Sequence, residues 1–269
     1  MKKYFRYIFP GVLLLGLLSG CATVPYTGRS QLSLVPDSQV LALSRSSYQQ
    51  VLSQSKLSDD HEATAAVGEV GRRIAASAED FMRDHGYADQ VRDYDWEFAL
   101  LEDDEMVNAW CMPGGKIAVY TGILPVTEDE NGLAVVMGHE VAHALANHGG
   151  ERLSHLLLVE LGAAGLSQAL REEPEMTQVL ALAAYGLGSQ IGLVLPYSRT
   201  QEYEADRIGL MITARSGYDP REAIPFWERM RQAGESEMVE FLSTHPATES
   251  RIQAIRDMMP EALQHYHPR

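Results

Sequence analysis

Two cysteines in 269 residues are too few for a disulfide scaffold. Basic charge is also scarce. Lysine and arginine total 22 against 37 acidic residues, which leaves a formal charge of −15 at pH 7. With no basic tract to neutralise phosphates, nucleic acid is excluded as the main partner. The same deficit argues against tight electrostatic binding to anionic lipid. Long apolar runs are missing too. Val12–Leu18 is too short to span a bilayer, and the stretch 176–195 is broken by Tyr185, Gly186, Gly188, Ser189, Gln190 and Gly192. There is no internal repeat and no low-complexity segment. What remains is ordinary globular material. The chain is 45% hydrophobic, enough for a real core, and its length suits one domain with short appendages.

The N-terminus reads as an export signal. Lys2, Lys3 and Arg6 form a positive n-region, followed by the apolar Val12–Leu18. Leu18-Ser19-Gly20-Cys21 resembles the bacterial lipobox, in which the cysteine is lipidated and becomes the first mature residue. The expectation is a signal peptide over 1–20, a lipid-bearing tether over 21–38 and the main domain over 39–269. Loss of 1–20 removes three positive charges and no acids, taking the net charge to −18. Ala22, where aspartate would signal inner-membrane retention, places the chain on the periplasmic face of the outer membrane of a Gram-negative bacterium. With Cys21 lipidated, Cys111 has no partner and reads as a buried small hydrophobe.

Helical patterns run over about 39–57 and 61–85. Trp96, Phe98 and Leu100 alternate within 95–101 as a strand does. Two more extended runs, 107–112 and 116–121, flank a Pro113-Gly114-Gly115 turn, so a small antiparallel sheet is expected. Thr127 and Glu130 have capping-box spacing ahead of a helix, and Ser198 with Gln201 repeats it ahead of another. The apolar stretches 153–171 and 176–195 read as buried or lid-like helices beside the active site.

The most informative residues are His139-Glu140-Val141-Ala142-His143. On a helix, positions i and i+4 lie one above the other. Two imidazoles so placed share one tetrahedral zinc ion, while Glu140 flanks the open position as general base. Leu133, Val136, Met137, Val141, Ala144 and Leu145 give that helix an apolar face.

Catalytic zinc needs a third protein ligand. Ala146 and Gly149 stand where the metzincin extension requires glycine and histidine, so that pattern fails. His148, nine residues after His139, is half a turn out of phase and reads as a solvated helix-end residue. A second helix offers Glu202-Tyr-Glu-Ala-Asp206, where Glu202 and Asp206 share a face and Glu204 points away. Glu202 is favoured as ligand, with Asp206 accepting the outer N–H of a zinc-bound histidine. A solvated acidic face is the other reading of that run.

These motifs together resemble the zinc metallopeptidase family of HtpX-like and CAAX-prenyl endopeptidase type, above all its bacterial lipoprotein and mitochondrial membrane-stress members. Pro25–Arg29, Asn108–Gly115, Ser198-Arg199, Ser243-Thr-His-Pro246 and Arg251 also fit that family, and the likeness covers about 23–258. It implies an α+β, mainly helical, gluzincin-type zincin with a small sheet beside the motif helix. It implies one Zn2+ per chain on His139, His143 and Glu202, with Glu140 as general base. It implies that the edge strand Asn108, Ala109, Trp110 and Cys111 pairs with extended substrate, which an unpaired edge can also do on its own chemistry. His245, beside Pro246, is a candidate to stabilise the oxyanion; it could instead occupy the open zinc position or be a structural loop histidine. Arg251 could bind substrate carbonyls or pair with an acid.

The expected activity is zinc-dependent hydrolysis of peptide bonds in misfolded or unassembled envelope proteins. The alternative is a chaperone-like assembly factor for outer-membrane proteins with gated, rarely used protease activity.

Overall fold

The computed structural model describes residues 20–190, 195–236 and 240–268. All but the last residue of the expected signal peptide, and 191–194 of the second apolar stretch, lie outside the described residues. Two compact units are distinguishable. One combines the described residues up to Gln39 with Gly150–Tyr197, and the other combines Val40–Gly149 with Ser198–Arg269.

In the first unit, the stretch expected as a plain tether forms a hairpin. β1 (Cys21–Thr23) pairs antiparallel with β2 (Ser30–Leu32), and Tyr26 and Gly28 take positive φ in the turn. Arg29 leaves β2's start to meet Glu151 through two contacts of 2.7 Å. That fork-to-carboxylate geometry satisfies a fully buried acid.

The larger unit is built around a sheet. α1 (Asp37–Gln54) and α2 (His61–Asp84) precede it, the latter capped by Asp60, which accepts from the Ala63 amide. Val67, Val70, Ile74, Ala78 and Phe81 recur at helical spacing and form the buried stripe of α2. β3 (Glu97–Leu101), β4 (Ala109–Met112) and β5 (Lys116–Tyr120) follow in the order β3-β5-β4. The β4–β5 pair is antiparallel, as expected of a turn in which Gly114 and Gly115 have φ of 89° and 80°. The β3–β5 pair is parallel, because β4 takes the edge and returns the chain to the centre in β3's direction. The sheet is therefore mixed. Trp110 and Met112 pack with Tyr48, Ala99, Leu101 and Ala118 on one face.

After α3 (Leu124–Thr127) comes the motif helix, α4 (Glu130–Leu145), buried along nearly its whole length. Its cap is Asp129, not the expected Thr127. The Thr127 hydroxyl donates back to the Leu124 carbonyl, Glu128 turns to φ 63°, and Asp129 accepts from the Asn131 and Gly132 amides.

α5 (His148–Ala169) and α6 (Glu175–Ser189) are the two apolar helices, tied by Tyr185 donating to the Val159 carbonyl at 3.2 Å. Of the two forms expected, buried or lid-like, burial does not hold: Leu161 is 61%, Met176 69% and Leu180 62% exposed. Helices apolar on several sides cannot cover every face with one another. No helix among the described residues is long and apolar enough to cross a membrane.

α7 (Leu195–Arg215) carries the acidic run and starts before Ser198, so the expected capping box lies inside it. α4 and α7 touch backbone to backbone. A Cβ on Gly209 would sit 2.9 Å from the carbonyl atoms of Gly138 and from the Cα of His139. Nearby, Thr213 donates to the Ala134 carbonyl at 3.2 Å. α8 (Ala223–Ser236), α9 (Glu240–Thr244) and α10 (Glu249–Leu263) complete the unit. Gly209→Ala should destabilise the fold by about 1–3 kcal/mol, since the crowding falls on main chain that cannot swing aside. Gly165→Ala on α5, where a Cβ meets nothing within 4 Å, serves as control and should shift stability by under about 1 kcal/mol. Equal urea midpoints for Gly209→Ala and wild type would contradict the tight crossing.

Candidate metal centre

The Gly138–Gly209 contact sets one turn of α4 against one turn of α7. His139 and His143 project from the former, with Nε2 atoms 3.1 Å apart. Glu202 projects from the latter, its Oε2 3.4 Å from His139 Nε2 and its Oε1 3.4 Å from His143 Nε2. His245, just past α9, brings Nδ1 to 3.2 Å from His139 Nε2 and to 3.0 Å from Glu202. All four are buried, and their ligand atoms lie within 4.8 Å of one another.

This donor set suits a single zinc ion. Bonds of about 2.0–2.1 Å to a tetrahedral ion put neighbouring donors roughly 3.3–3.4 Å apart, within a few tenths of an ångström of these spacings. Two imidazole nitrogens 3.1 Å apart would also repel through their lone pairs unless a cation or proton lay between them.

The charges point the same way. Burial alone would raise the Glu202 carboxyl, but hydrogen bonds from His139, His143 and His245 outweigh it and hold the group far below the usual carboxylate range. Burial would also lower His139, yet Asp206 and Glu202 beside it lift it to about 9. For His143 burial wins and holds the imidazole well below its ordinary value. The carboxylates thus call for positive charge at the point where the donors converge.

Glu140 stands beside this point. Burial raises its carboxyl, partly offset by His245 and His139. Its Oε1 is buried with no hydrogen-bond partner and lies 3.5 Å from His245 Nε2. The carboxylate accepts the Cys111 amide, which ties α4 to the edge strand β4. The side chains of Asn108 and Trp110 make contacts within the fold. Asn108 Oδ1 accepts the Ala109 amide, and the Trp110 ring packs edge-on against Tyr48 at 6.0 Å. Ala109 is buried. Cys111 is only partly covered rather than buried outright, and its thiol is pushed well up by desolvation with Glu140 adding to it.

Asp206 is brought where expected, Oδ1 3.1 Å from His139 Nδ1, a close charge contact rather than a linear hydrogen bond. Arg251 resolves to the acid-pairing role. Its Nε and Nη2 hold Asp206 at 2.8 and 2.7 Å, and Nη1 reaches Glu202 at 3.1 Å and the Pro246 carbonyl at 3.0 Å. The guanidinium lies 4.1 Å over the Trp227 ring. Trp227 stacks on Phe241, which leans on the His245 ring at 4.5 Å. These two aromatics hold the loop histidine and were not singled out in the sequence, because aromatic residues at helical spacing read as core.

The main correction concerns His148 and Glu204. Both are buried, where His148 was expected in solvent and Glu204 pointing away. His148 Nδ1 is 2.9 Å from His143 Nδ1, and its Nε2 is 3.1 Å from Glu204 Oε2. The phase argument failed because α4 stops at Leu145. Asn147 takes φ 53° and His148 opens the next helix, so it is not on α4's wheel at all. Asparagine, which tolerates that left-handed conformation, was the available signal.

Comparison with known families matches residues 69–259 to peptidase family M48. The chain is 32% identical over 270 residues to the mitochondrial metalloendopeptidase OMA1 of Schizosaccharomyces pombe, covering 97% of this chain and 74% of that one. It is 30% identical over 250 residues to the mitochondrial metalloendopeptidase OMA1 of Homo sapiens, covering 89% and 46%. It is 27% identical over 241 residues to the beta-barrel assembly-enhancing protease of Escherichia coli strain K12, covering 87% and 47%.

Removing Arg251 would leave buried carboxylates short of their cation. Arg251→Ala should cost about 3–5 kcal/mol of stability by chemical denaturation, and Arg251→Lys should not restore it, lacking the fork. An unchanged denaturation midpoint in Arg251→Ala would contradict this account of the network.

Proposed function

This chain belongs to peptidase family M48 and is a zinc metalloendopeptidase, and we propose that it clears misfolded or unassembled cell-envelope proteins at the periplasmic face of the outer membrane. The observation that carries the reading is the buried His139, His143, Glu202 and His245 donor set with the unpartnered Glu140 oxygen beside it. His139, His143 and Glu202 are the zinc ligands and Glu140 the general base, with Asp206 orienting His139. Quality control is the field suggested by the relatives, which include a mitochondrial metalloendopeptidase and a protease named for β-barrel assembly. The lipobox-like Leu18–Cys21 and Ala22 support a bacterial lipoprotein member anchored through lipid on Cys21, with 21–38 as tether and 39–269 as the peptidase domain.

When bound, zinc supplies Lewis acidity that acidifies water and polarises a scissile carbonyl. Glu140 Oε1 takes the proton from the attacking water and passes it to the leaving amine, a role suited to a carboxyl whose pKa is raised by burial. The Asn108–Cys111 edge aligns an extended substrate through its outward carbonyls, since Asn108 Oδ1 and Glu140 already take the Ala109 and Cys111 amides. His245 Nδ1 lies among the ligand atoms, so with zinc held by His139, His143 and Glu202 it would be a further donor to the ion, and turnover would need it displaced.

That feature also favours the second reading, a chaperone-like assembly factor for outer-membrane proteins whose protease is gated and rarely used. Casein hydrolysis by the full chain separates the possibilities. Glu140→Gln should keep one zinc and lose cleavage by at least about a hundredfold. His245→Ala should raise turnover by about tenfold or more by opening the metal position. A fall of that size would reassign His245 to oxyanion stabilisation, and unchanged kinetics would remove it from the site. In cells, Glu140→Gln should abolish function for a protease and spare it for an assembly factor.

A further inference from the structure

His139 and His143 sit one turn apart on the same helix, yet their outer nitrogens meet different partners. His139 Nδ1 faces a carboxylate directly, that of Asp206. His143 Nδ1 faces another imidazole, His148, whose far nitrogen meets Glu204. All three members of this second chain are buried; His148 is 1% exposed and Glu204 6%. We propose that His148 and Glu204 are positioning residues for the zinc site, forming a relay that fixes the tautomer and ring orientation of His143. The proposal rests on the reading of His143 as a zinc ligand through Nε2.

The proton positions follow from one another. An imidazole that ligates through Nε2 carries its proton on Nδ1. His143 Nδ1–H therefore donates across the 2.9 Å contact, and His148 Nδ1 must accept. A neutral imidazole accepting at Nδ1 carries its proton on Nε2. That N–H points at Glu204 Oε2 across 3.1 Å and donates to it. Reversing any one step puts a proton on His143 Nε2, where it would block the metal. Glu204 is the anchor, because a carboxylate only accepts, so His148 cannot adopt the other tautomer without setting two lone pairs against each other. Outer partners of this kind raise the basicity of a ligating imidazole as well as orienting it.

Two sequence features build the relay. Asn147 at φ 53° ends α4 and folds His148 back over His143. Glu204, two residues from Glu202 on α7, reaches the outer side of the same site. One helix thus supplies a ligand together with the outer carboxylates for both histidines.

A merely structural His148–Glu204 pair would look similar in the static structure, and three substitutions at His148 distinguish it. Asparagine can place its amide oxygen near the Nδ1 position and keep the acceptor for His143 while losing Glu204. Glutamine reaches Glu204 and loses the acceptor. Alanine loses both. Zinc affinity of the full chain, measured by competition with a chromophoric chelator, should fall by about 10–100-fold in His148→Gln and His148→Ala but stay within about threefold of wild type in His148→Asn. Glu204→Leu should weaken zinc in the wild-type background and have little effect on top of His148→Asn, where no tautomer needs fixing. The visible spectrum of the cobalt-substituted protein should shift in the glutamine and alanine variants and not in the asparagine variant. Equal affinities in all variants, or glutamine retaining affinity while asparagine loses it, would overturn the relay. Should the variants fail to fold, histidine-selective 15N labelling of the zinc-loaded wild type answers directly: His148 must be the Nε2–H tautomer, and a proton on its Nδ1 overturns the proposal. A wild type that binds no zinc would instead sink the metal site itself, an outcome separate from failure of the relay.

Discussion

The close approach of α4 and α7 at Gly138 and Gly209 is the constraint from which the site follows. Side chains on neighbouring helices normally hold the axes 8–10 Å apart. Two glycines let the main chains meet instead, with room for a Cβ on neither. That proximity lets a carboxylate on α7 share one point with two imidazoles on α4. It also buries three acids of α7, Glu202, Glu204 and Asp206, each of which needs a partner. Glu202 has the histidine cluster and Arg251, Asp206 has Arg251 and His139, and Glu204 has His148.

The consequence is a site whose stability and chemistry are hard to separate. Arg251 neutralises the acids that orient and supply the ligands while resting on Trp227, and Trp227 supports the Phe241 ring that steadies His245. The loop histidine His245 is thus held by the same aromatic stack that supports the arginine.

The motif helix, its His139–His143 pair and an acidic run on a second helix that brings Glu202 to the same point were legible in the sequence, because i,i+4 spacing maps directly onto a helix face. So were the helical and extended segments, to within a few residues at most ends. Four things were not. The parallel pairing of β3 with β5 depends on which strand takes the centre, which alternation does not encode. The cap at Asp129 depended on Thr127 bonding backwards to Leu124. His148 was misplaced because a helical wheel was carried past the residue that ends the helix. For α5 and α6 the choice between buried and lid-like helices stayed open, since periodicity shows which residues are apolar and not what covers them, and the structure leaves Leu161, Met176 and Leu180 exposed.

X-ray absorption at the zinc edge of the purified full chain tests the central claim most directly. One zinc per chain should be found in a four-coordinate shell of imidazole nitrogens and carboxylate oxygen at about 2.0–2.2 Å, with imidazole scattering reduced in His143→Ala and oxygen scattering altered in Glu202→Gln. A chain that carries no zinc, or a shell that Glu202→Gln leaves unchanged, would contradict it.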